Sequence, residues 1–493
     1  MPSSTSPSSS KGQLPIDAEK QGRSSSNGRR GNPVSEKATP LDVNGCQKGC
    51  EDEWSIQPEP NIFNTEVDGM AGAVNRVLSR ISSKSNWNPG PPPDGGSKAW
   101  LTCLCAHFVF MDTWGVVNSF GVFQSYYLSL LGRPPSDISW IGSIQVFLTF
   151  FISTFAGRFT DAGFFRPVLL CGTIFTATGI FTTSAATEYW QLLLSQGICM
   201  GIGSGCLFCP VVSTLSTYFS KKRSLAIGIA AGGSATGGLI FPAMARQLLP
   251  TVGFGWAVRA IGFVQLATLL FANVFMKSRL PPRRAGGLVE WGAFKELEYT
   301  FYAVGMFFNF LGLYFAFYYI SAFSRTMITP QLSYTDSLNL LLVLNGVGAA
   351  GRLLPNFLAD RVGPLNMLAP SCLLSSVCLL AWIVVRTPAG LYAWVVFFGI
   401  FGGAIQSLFP AGLSSLTADL RKQGTRMGMV FTIVSFAVLT GSPIAGALIS
   451  AMDGSYLGAQ VFTGVSMLVG TSFILGARWA RMRRTGAGWG VKI

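Results

Sequence analysis

From Trp100 onward the chain is a succession of apolar runs, each about twenty residues or longer, separated by short polar joints. Twelve such runs can be counted, the first over 100–130 and the last over 456–477. A helix of about 20 apolar residues crosses a hydrocarbon core of roughly 30 Å. In lipid every backbone amide needs a partner within the protein, and a helix supplies one inside its own segment. The composition agrees: 49% of residues are apolar and 12% charged, against about 25% charged in an ordinary soluble domain. The pattern predicts an all-α membrane protein of twelve transmembrane helices and argues against a soluble enzyme or a disordered chain.

The net charge of +14 lies in the apolar part, because residues 1–99 carry equal numbers of acidic and basic side chains. A nucleic-acid binder gathers its basic residues in a solvated stripe. Here they punctuate hydrophobic runs, so the expected partner is the lipid bilayer and not nucleic acid. An even number of crossings puts both termini on one side. Nineteen Lys and Arg fall in the joints and tail of that side and five on the other. The positive-inside rule then predicts a multi-pass cell-membrane protein with both termini cytosolic.

The organisation expected is a disordered cytosolic tail over 1–98, a six-helix bundle over 99–277, a cytosolic linker over 278–298, a second six-helix bundle over 299–478 and a basic cytosolic tail over 479–493. The first tail is rich in Ser, Pro and Gly and has no signal-peptide hydrophobic region. Within it Val74, Val77, Leu78 and Ile81 follow helical spacing with Arg76, Arg80 and Lys84 interleaved. That is the pattern of a short helix lying on a membrane surface, read against a merely solvated tail. Eight of the ten Cys lie inside apolar runs, where they act as small hydrophobes. Cys46 and Cys50 lack a second ligand pair, so no metal site is expected.

The two halves match at an offset near 200. Asp161 corresponds to Asp360, Phe208 and Pro210 to Phe409 and Pro410, Lys221-Lys222 to Arg421-Lys422, Gly228 to Gly428 and Pro242 to Pro443. Two six-helix halves repeated in parallel resemble the major facilitator transporters, whose site lies between the halves near the bilayer midplane. The joints Gly157-Arg-Phe-Thr-Asp161-Ala-Gly-Phe-Phe-Arg166 and Asn356-Phe-Leu-Ala-Asp360-Arg361 resemble that superfamily's inner-gate signature. The resemblance implies a gating role for Asp161, Arg166, Asp360 and Arg361. Each Asp is expected to accept hydrogen bonds from a helix N-terminus or an Arg of its own half, closing the cytosolic side reversibly.

Before the first helix stands Pro91-Pro-Pro-Asp94-Gly95-Gly96-Ser-Lys-Ala-Trp100, and the fifth opens with Lys221-Lys222-Arg223 followed by Gly228, Gly232, Gly233, Gly237 and Gly238. Together with Trp114-Gly-Val-Val-Asn118 and Asp137-Ile-Ser-Trp140, these resemble the monocarboxylate porter family, fungal branch, over about residues 91–480. The resemblance implies that Arg352 binds a substrate carboxylate. A guanidinium can do so through two parallel hydrogen bonds, and the bland reading is a snorkelling or internally paired Arg. The acidic residue and the Lys that proton-coupled relatives use are replaced here by Gly348 and Asn118.

Asp112 and His107, both in the first run, are the candidate proton carriers. Asn118, Trp114, Asn345 and Gln406 join Arg352 as candidate substrate ligands, and Tyr314, Tyr318 and Tyr319 with Trp114 offer aromatic faces to a planar solute. No phosphate-binding Gly-x-x-x-x-Gly-Lys-[Ser/Thr] loop is present, so neither ATP nor a cofactor is expected. The reading is a secondary active or facilitative transporter of a small organic acid or related metabolite, with protons as a candidate co-solute. It works by alternating access, either exporting a fungal secondary metabolite or taking up a monocarboxylate or vitamin-like nutrient. A non-transporting nutrient sensor is the alternative of another class, and an enzyme is not expected.

Overall fold

The computed structural model describes residues 90–133, 135–280 and 289–486. The amphipathic stretch from Val74 to Ile81, Cys46 and Cys50, and most of the 1–98 tail lie outside the described residues. Among the described residues every regular element is helical. The first crossing, α1, is Gly96–Asn118 continued by Phe120–Leu131. It is followed by α2 (Pro135–Asp161), α3 (Phe165–Thr183) and α4 (Tyr189–Tyr218). The next helix runs from Arg223 to Phe275. After the linker come α7 (Leu297–Thr326), α8 (Tyr334–Val362), α9 (Pro364–Ala381), α10 (Pro388–Leu416), α11 (Gln423–Ala451) and α12 (Leu457–Thr485).

Eleven of these stretches are long and apolar enough to span a membrane. One of the eleven holds two crossings. Arg223–Phe275 has 53 residues, roughly 80 Å of helix, more than twice a hydrocarbon core of about 30 Å. The joint expected between the fifth and sixth runs is reduced to a single break at Gly253, whose φ of 76° is open to a residue without a Cβ. Residues 223–252 are therefore α5 and residues 254–275 are α6, which restores the expected twelve. Several helices start where side chains cap them. Ser333 Oγ accepts from the Asp336 amide at 3.1 Å, and Thr387 Oγ1 accepts from Gly390 at 3.2 Å just before Pro388.

The first six helices and the last six meet along two seams, α2 against α11 and α5 against α8. The repeat relates α2 to α8 and α5 to α11, so the seams are equivalent. Hydrogen bonds tie the ends of α2 and α11, of α8 and α5, and of Asp94 and the α4–α5 joint. These ends, with residue 90, define one face of the bundle, called here the terminal face. Trp291 and Trp479 stand exposed near it, and Trp190 and Trp256 near the opposite face, the arrangement of two interfacial aromatic belts. Between the belts Phe263, Leu354 and Phe397 point outward, each more than half exposed, as a lipid-facing surface requires.

The Gly-rich α5 lets α1 approach closely. A Cβ added at Gly233 would lie 1.9 Å from the His107 carbonyl oxygen, whereas one at Gly232 would meet nothing nearer than 3.9 Å. Overpacking a tight interior contact costs about 1–3 kcal/mol. Gly233→Ala is expected to lower the melting temperature of the purified protein by several degrees and Gly232→Ala to leave it nearly unchanged. Equal melting temperatures for the two variants would remove backbone approach as the reason for Gly233.

Candidate functional site

A cavity lies between the two groups of helices at mid-depth, lined by Phe110 and Trp114 of α1, Phe150 of α2, Phe208 of α4, Ala231 and Ser234 of α5, Phe310 and Tyr314 of α7, Arg352 of α8, and Gln406 and Phe409 of α10. Arg352 stands ten residues before the end of α8 at Val362, roughly 15 Å along the axis, which is the middle of a core of about 30 Å. The space open to the centres of water-sized spheres is about 20 Å³, enough for one or two waters. An organic solute needs the helix groups to move apart.

Arg352 is 1% exposed. Its Nη2 donates to Gln406 Oε1 at 2.7 Å, and its Nε has no hydrogen-bond partner among the described residues. No ion pair to Arg352 exists among the described residues either. A Cβ at Gly348 would come within 2.6 Å of Arg352 Nη1. The missing side chain one turn earlier is thus what makes room for the guanidinium. Seven aromatic rings complete the lining. Trp114 and Tyr314 lie parallel, with centroids 6.2 Å apart and planes 10° apart.

On the terminal face two carboxylates receive helix N-termini. Asp161 Oδ2 accepts from the Thr425 amide and hydroxyl, both at 2.8 Å, and Oδ1 from the Gly424 amide at 3.1 Å. Asp360 accepts from the amides of Ser224 at 2.8 Å and Leu225 at 2.9 Å. The helix N-termini that donate belong to the opposite half, and not to the same half as expected. Asp161 at the end of α2 is met by α11, and Asp360 in the last turn of α8 is met by α5, in each case the opposite half. The reason is the seams, which bring those ends together. Arg166 is exposed at the start of α3, and Arg361 lies over the Phe357 ring at 4.8 Å, so neither of these basic residues joins its Asp.

A second set of charges ties the linker to the start of α11. Glu290 pairs with Lys422 and Arg426, and Glu296 holds Arg426 through two hydrogen bonds of 3.1 and 2.6 Å. Burial by itself would raise the Glu290 carboxyl. The hydrogen bond from Lys422 and the charges of Arg426 and Lys422 outweigh burial and hold it below the ordinary glutamate range.

Comparison with known proteins decides the family. The profile of the Major Facilitator Superfamily matches residues 102–411. The chain belongs to the Major Facilitator Superfamily. An MFS-type transporter of Gibberella zeae is 62% identical over 388 residues, covering 79% of this chain and 88% of that protein. The aspyridones efflux protein apdF of Emericella nidulans is 34% identical over 403 residues, covering 81% of each. Among solved structures, the human organic anion transporter MFSD10 (TETRAN) superposes with a TM-score of 0.60 at 16% identity, covering 77% of this chain and 98% of that one. Its likeness is one of fold. The protein is therefore a membrane transporter of this superfamily and not an enzyme.

Within the superfamily fold, three of the five candidate substrate ligands converge: Arg352, Gln406 and Trp114 line the cavity. Asn118 and Asn345 do not. Asn118 stands one turn beyond Trp114 on α1, buried with neither amide atom partnered among the described residues. Asn345 packs against Gly238 of α5 and donates to the Leu341 carbonyl at 3.1 Å. The candidate proton carriers also stand apart from the cavity. His107 Nδ1 lies 2.8 Å from the Ile229 carbonyl and Nε2 3.2 Å from Thr236 Oγ1, so a neutral imidazole is satisfied at both nitrogens within the α1–α5 contact. Asp112 faces α6, where its Oδ2 accepts from Thr268 Oγ1 at 2.7 Å and its Oδ1 has no partner among the described residues. The cavity phenylalanines were not among the expected ligands. Phe208 and Phe409 nevertheless carried a signal, because they are partners in the internal repeat.

Cys209 sits beside the Asp161 contact, buried, its Sγ 3.6 Å from the Gly424 carbonyl oxygen. Hydrogen bonds to a charged group are worth about 1.5–3 kcal/mol. Asp161→Ala is expected to raise maleimide labelling of Cys209 roughly tenfold, read by mass spectrometry of the labelled peptide. Unchanged labelling would show that the carboxylate does not hold the terminal face closed.

Proposed function

We propose that the protein exports an organic acid of fungal secondary metabolism across the cell membrane by alternating access, as a member of the monocarboxylate porter branch. The observation that carries this reading is a guanidinium buried at mid-membrane with no carboxylate paired to it among the described residues. A charge there costs at least about 2.5–3.5 kcal/mol on an insertion scale, and a bound anion offsets that cost directly. Export is supported by the name of the apdF relative, an efflux protein. The excess of Lys and Arg on the terminal face supports a cytosolic position for that face, with residues 278–298 as the linker between the two bundles.

In this reading Arg352 and Gln406 hold the acidic group and Trp114 packs on the body of the solute. The carboxylates of Asp161 and Asp360 keep the cytosolic side closed while solute leaves outward. Breaking their contacts opens the cytosolic side for loading. Asp112 is the proton carrier of the proposal. It shares the rigid α1 with Trp114 two residues away, so a change of charge against α6 shifts a wall of the cavity.

Two variants test these roles. Arg352→Ala is expected to reduce efflux by about 10–100-fold, the equivalent of about 1.5–3 kcal/mol for a charged hydrogen bond, with normal membrane insertion. Arg352→Lys should retain a part of the activity. The readout is metabolite profiling of cells and medium with and without the gene, which also identifies the solute. Wild-type efflux from the Ala variant would remove Arg352 from the site. Asp112→Asn is expected to flatten the pH dependence of flux in proteoliposomes, and an unaltered pH profile would exclude Asp112 as the carrier.

A further inference from the structure

The fully buried polar atoms of the cavity that lack a partner are of one kind. Among its lining side chains, the buried polar atoms without a partner are Trp114 Nε1, Arg352 Nε and Gln406 Nε2. Each is an N–H donor. Ser234 is satisfied, donating to the Ala231 carbonyl at 2.6 Å. A solute that brought donors of its own would leave these three unmatched, and an unmatched buried donor costs about 1–3 kcal/mol. The cavity therefore suits a solute whose polar atoms are acceptors.

The walls select shape as well. Trp114 belongs to α1 and Tyr314 to α7, one from each half, and their rings are parallel within 10°. The other ring pairs that either makes within the lining are tilted or edge-on: Trp114 with Phe150 at 49° and with Phe208 at 76°, Tyr314 with Phe310 at 47°. Two carbon surfaces touch at about 3.5–4.0 Å, so a flat ring inserted between two parallel walls needs them about 7 Å apart. The present centroid distance is 6.2 Å. Because the two rings belong to opposite halves, separating the halves draws them apart into a slot one ring thick. A saturated, puckered ring of the same size is too thick for it.

We propose that Trp114 and Tyr314 form a slot for a planar, conjugated oxyanion whose acceptor oxygens meet Arg352, Gln406 and the Trp114 indole N–H. The solute is thus a flat aromatic acid and not a short aliphatic one. This rests on the reading of Arg352 as the anion ligand and adds the shape and donor–acceptor character of the solute.

Three probes of matched size test it by calorimetry on the purified full-length protein: 2-naphthoate, flat and anionic; decalin-2-carboxylate, anionic and puckered; and 2-naphthalenemethanol, flat and neutral. The wild type is expected to bind 2-naphthoate at least tenfold more tightly than either of the others. Trp114→Leu and Tyr314→Leu should bring the two anions to parity, while Trp114→Phe, which keeps a flat face, should preserve most of the preference. Equal binding of the two anions by the wild type, with both lost in Arg352→Gln, overturns the slot and leaves the anion site standing. Binding of 2-naphthoate that Arg352→Gln does not weaken overturns both. Absence of 2-naphthoate binding by the folded wild type, or a preference that survives Trp114→Leu, also overturns the slot.

Discussion

A guanidinium held at mid-membrane without a counter-ion among the described residues is a costly group, and much of the cavity is arranged around it. Arg352 is tolerated because Gln406 accepts one of its hydrogen bonds and Gly348 leaves it room. What remains unsatisfied is an Nε donor turned toward a ring-lined space. The low-dielectric surroundings that make the bare charge expensive also strengthen its attraction for an anion. The same feature therefore destabilises the empty site and favours the loaded one.

The second constraint is the pseudo-two-fold relation between the halves. It makes the α2–α11 and α5–α8 seams equivalent and places an Asp at the end of each, aimed at an opposing helix N-terminus. Each contact joins backbone amides and their aligned dipoles to a carboxylate. Such contacts tie the halves together at one end. The symmetry fails at the cavity. Arg352 stands eight residues before Asp360, whereas eight residues before Asp161 the chain has Ser153. The cation is confined to one half, so in the proposed reading an anion leans on the second group of helices and stacks across to the first.

The fold was legible in the sequence because lipid imposes a single rule, an apolar helix of sufficient length, that each run obeys by itself. The break at Gly253 was less legible, since the end of one apolar run and the start of the next do not show that a single residue turns the chain. The candidate site was legible in part. Arg352 stood out as a charge within an apolar run, and Trp114 and Gln406 as polar or amphipathic residues in others. Asn118, Asn345, Asp112 and His107 had the same signature, but Asn118 stands a turn away from the cavity along α1, and the other three pack against α5 or α6. Helical spacing relates residues within one helix and carries no information on which neighbour that face will meet.

The chain by itself determined the number of crossings, the internal repeat, the uneven distribution of basic residues and the presence of a lone intramembrane Arg, because each is a property of one segment or of its match to another at a fixed offset. Only the tertiary structure decided that the Asp contacts run between halves, that Asp112 looks into α6, and that Trp114 and Tyr314, two hundred residues apart, lie face to face. These depend on how the helices rotate and dock against one another. Docking in lipid is governed by close packing and hydrogen bonds summed over many helices at once, and no local pattern encodes that sum.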